Sequence, residues 1–158
     1  MRRAGIDVVV AGLEPGPVTA SRGTVLLPDT VLDQVLEQDF DLIVLPGGLP
    51  GADHLARDER LLGMLRRQVQ NDRYAAAICA APRALRAAGL LSGRRATAYP
   101  GALEGAADLQ LVDEPVVVDG PVITSRGPGT AMDFALELIE ALEGRQVRDQ
   151  VEGPLVRP

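Results

Sequence analysis

Two short apolar runs that break off at small residues constrain this chain more than any other feature. "FDLIVLPGG" (40–48) and "YAAAICAAP" (74–82) each carry an unbroken apolar stretch and stop at Gly or Pro. Such a run, bounded by turn residues, reads as a strand buried on both faces. Between them Leu61, Leu62, Leu65 and Val69 recur at helical spacing over roughly 57–70. Strand, helix, strand is the pattern of a parallel sheet covered by helices.

The remaining segments fit the same α/β plan. "DVVVAGL" (7–13) reads as a strand, and "PVTASRGTVLL" as a hairpin turning at Arg22-Gly23. "DTVLDQVLEQ" predicts a helix, with Thr30 and Asp33 in a capping pattern and Leu32, Val35 and Leu36 on one face. "PRALRAAG" is a short helix opened by Pro82 and stopped by Gly89. "EPVVVDGPVITSRGPG" is a hairpin with Asp119-Gly120 at its turn. A helix from Thr130 to Glu143 follows, with Thr130 and Asp133 as its cap pattern. The tail after Gly144 reads as a short helical turn and an extended end. The 158 residues suit one domain. "MRRAG" resembles the last turn of a helix closed by Gly5, and "DVVVAGL" is apolar on both faces. The expectation is a further βα unit upstream, on the order of 25 residues.

Composition removes several functions. The net charge is −6, with scattered arginines, which argues against a nucleic-acid binder. No apolar run is long enough to span a bilayer, and the basic N-terminus lacks the pattern of a signal peptide, so the expected compartment is the cytoplasm. One Cys and one His exclude an internal disulfide and argue against a Cys/His zinc site. All 16 basic residues are Arg; a Schiff-base or P-loop lysine is therefore excluded.

Cys79 is the first candidate for chemistry. It follows a strand, precedes a helix, and is followed by Ala80 and Ala81, small enough for a tight turn. Such a turn lifts a side chain to the C-terminal edge of a sheet, where the helix N-terminus favours a thiolate. The same position also suits a buried, inert thiol. Gly47-Gly48 ends the neighbouring strand, and its backbone N–H groups suit an oxyanion or carboxylate, although such turns are common. "TSRGPGT" (124–130) offers a second anion-binding turn or a plain structural one. His54 reads as an exposed structural residue, and Tyr99 in "TAYPG" closes another strand, as a hydrogen-bond donor near the cysteine turn.

Taken together, "VLPGG", "AAICAAP", "TSRGPGT" and the terminal "PLV" resemble the ThiJ/PfpI superfamily, in its Parkinsonism-associated deglycase and YajL-like branch. The resemblance runs through the whole chain, from "MRRAGI" onward. It implies a flavodoxin-like three-layer sandwich with a mostly parallel sheet, forming a homodimer without cofactor or metal. It implies Cys79 as the nucleophile, with Gly48 and Ala80 offering backbone N–H groups to its oxyanion, beside Gly47 of the same strand-end pair. Tyr99, Arg22, Arg126 and Pro128 fall in the surrounding shell. The associated activity is a glyoxalase or deglycase acting on methylglyoxal, glyoxal or their early protein adducts, in oxidative and carbonyl stress. Two departures stand out. The family's glutamate from its first helix, which touches the cysteine, has no counterpart here. Tyr99 stands where part of the family has a histidine, as YajL-like proteins also lack it. A redox sensor or chaperone built on Cys79 is the alternative function. A peptidase fits less well, since that branch has histidine directly after the nucleophile and this chain has Ala80. An inert structural remnant is the remaining reading.

Overall fold

The computed structural model describes residues 1–157. Its centre is a four-stranded sheet formed by β5 (Leu42–Leu45), β6 (Tyr74–Ile78), β9 (Val116–Asp119) and β10 (Val122–Ser125). The spatial order is β5-β6-β10-β9, with β5, β6 and β10 parallel and β9 antiparallel to β10. The register sets Ala75 of β6 against Ile43 on one side and Val122 on the other. The two apolar runs thus become adjacent parallel strands, as their patterning requires.

Helices cover both faces. α1 (Gly51–Leu55), α2 (Glu59–Gln70) and α3 (Pro82–Ala87) lie on one face; α4 (Ala131–Glu143) lies on the other, followed by α5 (Arg145–Glu152). Side chains alternate across the sheet, so Ala75 and Ala77 join Leu61, Leu65 and Leu85 in one core. Ala76 and Ile123 join Phe134 and Leu138 in the other. The alanines of β6 let both helical layers approach the sheet closely. This is the flavodoxin-like three-layer sandwich expected from the sequence. No helix among the described residues is long and apolar enough to cross a membrane.

Short ladders complete the chain. β1 (Ala11–Gly12) pairs in parallel with β4 (Thr30–Val31), and β2 (Val18–Thr19) forms a hairpin with β3 (Val25–Leu26) around Arg22-Gly23. β7 (Arg95–Ala96) pairs with β8 (Gln110–Leu111).

Several elements differ from expectation. The strand at 7–13 is a two-residue ladder, because among the described residues only its β4 side meets a partner strand. The helix expected at 29–38 is instead β4 and one 3-10 turn, Leu32–Gln34. β-branched Thr30 and Val31 pair with Ala11 and Gly12, and the Thr30 hydroxyl donates to Gln34 Oε1 (2.6 Å). Pairing with a distant strand has overridden the local cap pattern, although Leu32 and Val35 are buried as read. Thr130 does not cap α4 with its side chain; its Oγ1 accepts from Gly127 N and meets Ser125 Oγ. The helix at 57–70 starts at Glu59, because Asp58 caps it, accepting from the N–H groups of Arg60 and Leu61. Tyr99 stands three residues beyond the end of β7 rather than closing it. The tail is the eight-residue helix α5 rather than a single turn. Gly5, in the left-handed region at φ 78°, closes a 3-10 turn over Arg2–Ala4.

Candidate active site

Cys79 stands between β6 and α3 with φ 65°. A left-handed backbone at a residue bearing a side chain costs about 1–3 kcal/mol and persists only where surrounding contacts impose it. Those contacts are specific. The Cys79 N–H donates to Ser125 O at the end of β10 (2.9 Å), and Cys79 O accepts from Tyr99 N (2.8 Å). Ala81 N donates to Ile78 O (3.1 Å), closing the turn in front of Pro82 at the first helical position. Ala80 and Ala81 are buried, so larger side chains have no room there. The thiol is free and half-buried.

Gly47 fixes the other wall. A Cβ placed on it would lie 2.6 Å from Cys79 Cβ, 2.9 Å from Ile78 O and 3.4 Å from Cys79 Sγ. No side chain fits between the ends of β5 and β6, so only glycine permits this approach. Gly48 follows at φ 93°, and a Cβ there would meet Ser21 Oγ at 3.4 Å. Among the described residues, no protein acceptor takes the N–H of Gly47, Gly48 or Ala80. Three backbone donors thus remain without partners around the strand-end turns that carry the thiol.

The other expected residues take different positions. Tyr99 is tied to the cysteine through its backbone, while its ring is half-exposed and lies beside Gly127. Arg126 pairs with Asp113 (2.6 Å), and its N–H donates to Pro115 O (3.1 Å). Pro128 opens a 3-10 turn directly before α4 and is exposed. Arg22 is exposed at the tip of the β2–β3 hairpin, beside Ser21. His54 is exposed on α1 and lines a cavity that also reaches Gly47 and Gly48. Two features escaped the sequence reading. Ser21 approaches Gly48 from a hairpin far away in the chain, and Arg83 of α3 pairs with Asp53 of α1, locking together the helices that follow the two site turns. Neither carries a local signal, since each depends on a long-range contact. Among the described residues no group of three or more His, Cys, Asp or Glu converges as metal ligands would.

An α/β sandwich with a strained cysteine at a strand-to-helix turn, faced by a glycine pair, defines the class. Residues 1–141 match the DJ-1/PfpI family, and the chain belongs to that family. It is 45% identical over 165 residues to Protein dj-1beta of Drosophila melanogaster, covering 99% of this chain and 86% of that protein. The crystal structure of Drosophila melanogaster DJ-1beta superposes with a TM-score of 0.94 at 43% identity, covering 99% of this chain and 86% of that one. The Caenorhabditis elegans protein named glutathione-independent glyoxalase DJR-1.2 is 37% identical over 156 residues, covering 97% and 82%. Against Protein DJ-1 homolog B of Arabidopsis thaliana the identity is 44% over 159 residues; 99% of this chain matches 36% of that protein. The chain therefore spans little more than a third of that longer relative.

Proposed function

We propose that this protein is a cofactor-independent glyoxalase or deglycase with Cys79 as its nucleophile, acting on methylglyoxal, glyoxal or their early protein adducts. The observation that carries this reading is the turn itself. A left-handed cysteine is held at both backbone groups, and a glycine at the next strand end leaves its sulfur unobstructed. The name of the nematode relative supports the same chemistry.

The steps balance without an external oxidant. Cys79 Sγ adds to the aldehyde carbon of methylglyoxal, and the carbonyl oxygen becomes an oxyanion facing the free N–H groups of Gly47, Gly48 and Ala80. The proton on that carbon then leaves, giving an enediol, and a proton returns to the neighbouring carbon. The aldehyde carbon is oxidised as the ketone carbon is reduced, leaving a lactoyl thioester. Water cleaves the C–S bond, releasing lactate and the thiol. Glu14 and His54 are the titratable side chains lining the cavity that ends at Gly47 and Gly48.

The test is lactate formation from methylglyoxal without glutathione, followed by proton NMR. Wild type should produce lactate and Cys79→Ser should not. Undiminished turnover in Cys79→Ser would remove the cysteine mechanism.

The same reading includes a homodimer. The β2–β3 hairpin exposes Val18, Val25, Leu26 and Leu27 (44, 61, 55 and 78%), an apolar surface that a second copy would cover. Ser21 on this hairpin approaches Gly48, so dimerisation would order one wall of the site. Sedimentation of wild type against Leu26→Glu tests this: a dimer that the substitution splits supports it, and a wild-type monomer contradicts it.

A further inference from the structure

We propose that Asp53 and Arg83 are a positioning pair: their ion pair sets how the two strand-end turns stand against each other, and so aligns the Gly48 and Ala80 N–H groups on the oxyanion formed at Cys79. The proposal rests on the glyoxalase reading of that site and adds two residues from outside its turns.

Each turn runs directly into a short helix, five residues in α1 and six in α3. Helices of this length are marginal alone, and neither has a side-chain cap, so tertiary contacts must hold them in place. Their first turns grip the site. Ala52 N of α1 donates to Gly48 O (2.8 Å), and Arg83 N of α3 donates to Ala80 O (3.4 Å). A shift of either helix therefore carries an oxyanion donor with it. The two helices pack on each other, and Ala52, Ala81 and Ala84 are fully buried in the same core. Alanine ridges permit a close approach but interlock weakly, so they leave the slide of one helix along the other to be fixed by another contact.

The Asp53–Arg83 pair is that contact. Arg83 Nη1 donates to Asp53 Oδ1 across the junction, thirty residues apart in sequence. Local preference favours Asp53 in the first turn of α1 and opposes Arg83 in the first turn of α3, where the helix dipole disfavours a cation. Arg83 Nε is also buried without a hydrogen-bond partner among the described residues. Nothing local accounts for an arginine at this position, and its bond to Asp53 does. Both side chains are partly exposed, so the pair adds little to stability. Its effect lies in alignment: losing one oxyanion donor outright costs about 100–1000-fold in kcat, and displacing one costs part of that.

The experiment measures lactate formation from methylglyoxal in wild type, Asp53→Asn, Arg83→Gln and the double variant, with iodoacetamide alkylation of Cys79 alongside. Each variant should lower kcat about three- to tenfold with KM within about twofold of wild type. The double variant should lose no more than either single one, because both remove the same contact. The single substitutions change the charge near the site in opposite senses, so an effect of charge on the thiol alone would move kcat in opposite directions. Arg83→Lys still donates to Asp53 and should keep kcat within about twofold of wild type. Alkylation passes through no oxyanion, so its rate in the charge-neutral double variant should stay within about twofold of wild type. Wild-type kcat in the double variant, opposite effects of the two single variants, or alkylation that falls in step with kcat would overturn the proposal. A wild type that forms no lactate would overturn the glyoxalase reading and this proposal together; an active wild type matched by its variants overturns this proposal alone.

Discussion

Replacing Gly47 with alanine is the most direct perturbation of the site's construction. The added Cβ would stand 2.6 Å from Cys79 Cβ and 2.9 Å from Ile78 O, about 1 Å inside an ordinary carbon contact. Neither neighbour moves freely. Ile78 ends a strand flanked on both sides, and Cys79 is held by Ser125 O and Tyr99 N. Overpacking of this kind costs about 1–3 kcal/mol. For a chain of this size that lowers Tm by about 2–12 °C, since each kcal/mol shifts Tm by roughly 2–4 °C. Calorimetry measures it, and alkylation of the only cysteine should slow in parallel. Gly63→Ala is the control. Gly63 is inside α2 with nothing within 4 Å of an added Cβ, so alanine should stabilise by about 0.5–1 kcal/mol. A Gly47→Ala protein with wild-type Tm and wild-type thiol reactivity would refute the claim that this glycine shapes the cysteine turn.

Other substitutions test further parts of the framework. Thr124→Val should destabilise by about 1–3 kcal/mol in urea unfolding, because the buried Thr97 N–H donates to Thr124 Oγ1 (3.0 Å) and would lose its partner; Thr124→Ser should retain most of the stability. Asp58→Ala should cost about 1–2 kcal/mol through the lost α2 cap, and Asp58→Asn less. The Arg60 side chain, then the Leu61 and Arg60 N–H groups, hold the Asp58 carboxyl below its ordinary value of 3.8. A depressed carboxyl contributes stability above that ordinary value and loses it as pH falls through the lowered one. The stability gap between wild type and Asp58→Asn should therefore be flat from pH 5 to 8, about the range where carboxylates are ionised, and shrink below about pH 4. A gap independent of pH would contradict the ion-pair assignment.

The legible parts of this fold were those written locally. The unbroken runs at 40–48 and 74–82 became adjacent strands, and Arg22-Gly23, Gly89 and Gly144 ended elements where expected. The cysteine turn was also local, since small Ala80 and Ala81 before Pro82 leave few alternatives for strand-to-helix passage. Elements whose conformation depends on a remote partner were misread. Thr30 and Val31 carry a helix-start pattern, yet a ladder with Ala11 and Gly12 draws them into a strand. The run at 7–13 has strand composition, but backbone pairing needs a neighbour, and among the described residues only Ala11 and Gly12 of this run have one. At the site, Gly47 looked like a common strand-end glycine; its closeness to Cys79 emerges only once β5 and β6 are in register. Ser21 and the Asp53–Arg83 pair are tertiary in the same way.

The central claim is that the turn makes Cys79 a reactive centre. The most direct measurement is the second-order rate of its alkylation by iodoacetamide at neutral pH, compared with N-acetylcysteine amide and with the urea-unfolded chain. Because Cys79 is the only cysteine, the rate belongs to it alone. The account predicts a folded thiol about tenfold or more faster than both references. A folded thiol no faster than free cysteine would contradict it and leave Cys79 a packing residue in a strained turn.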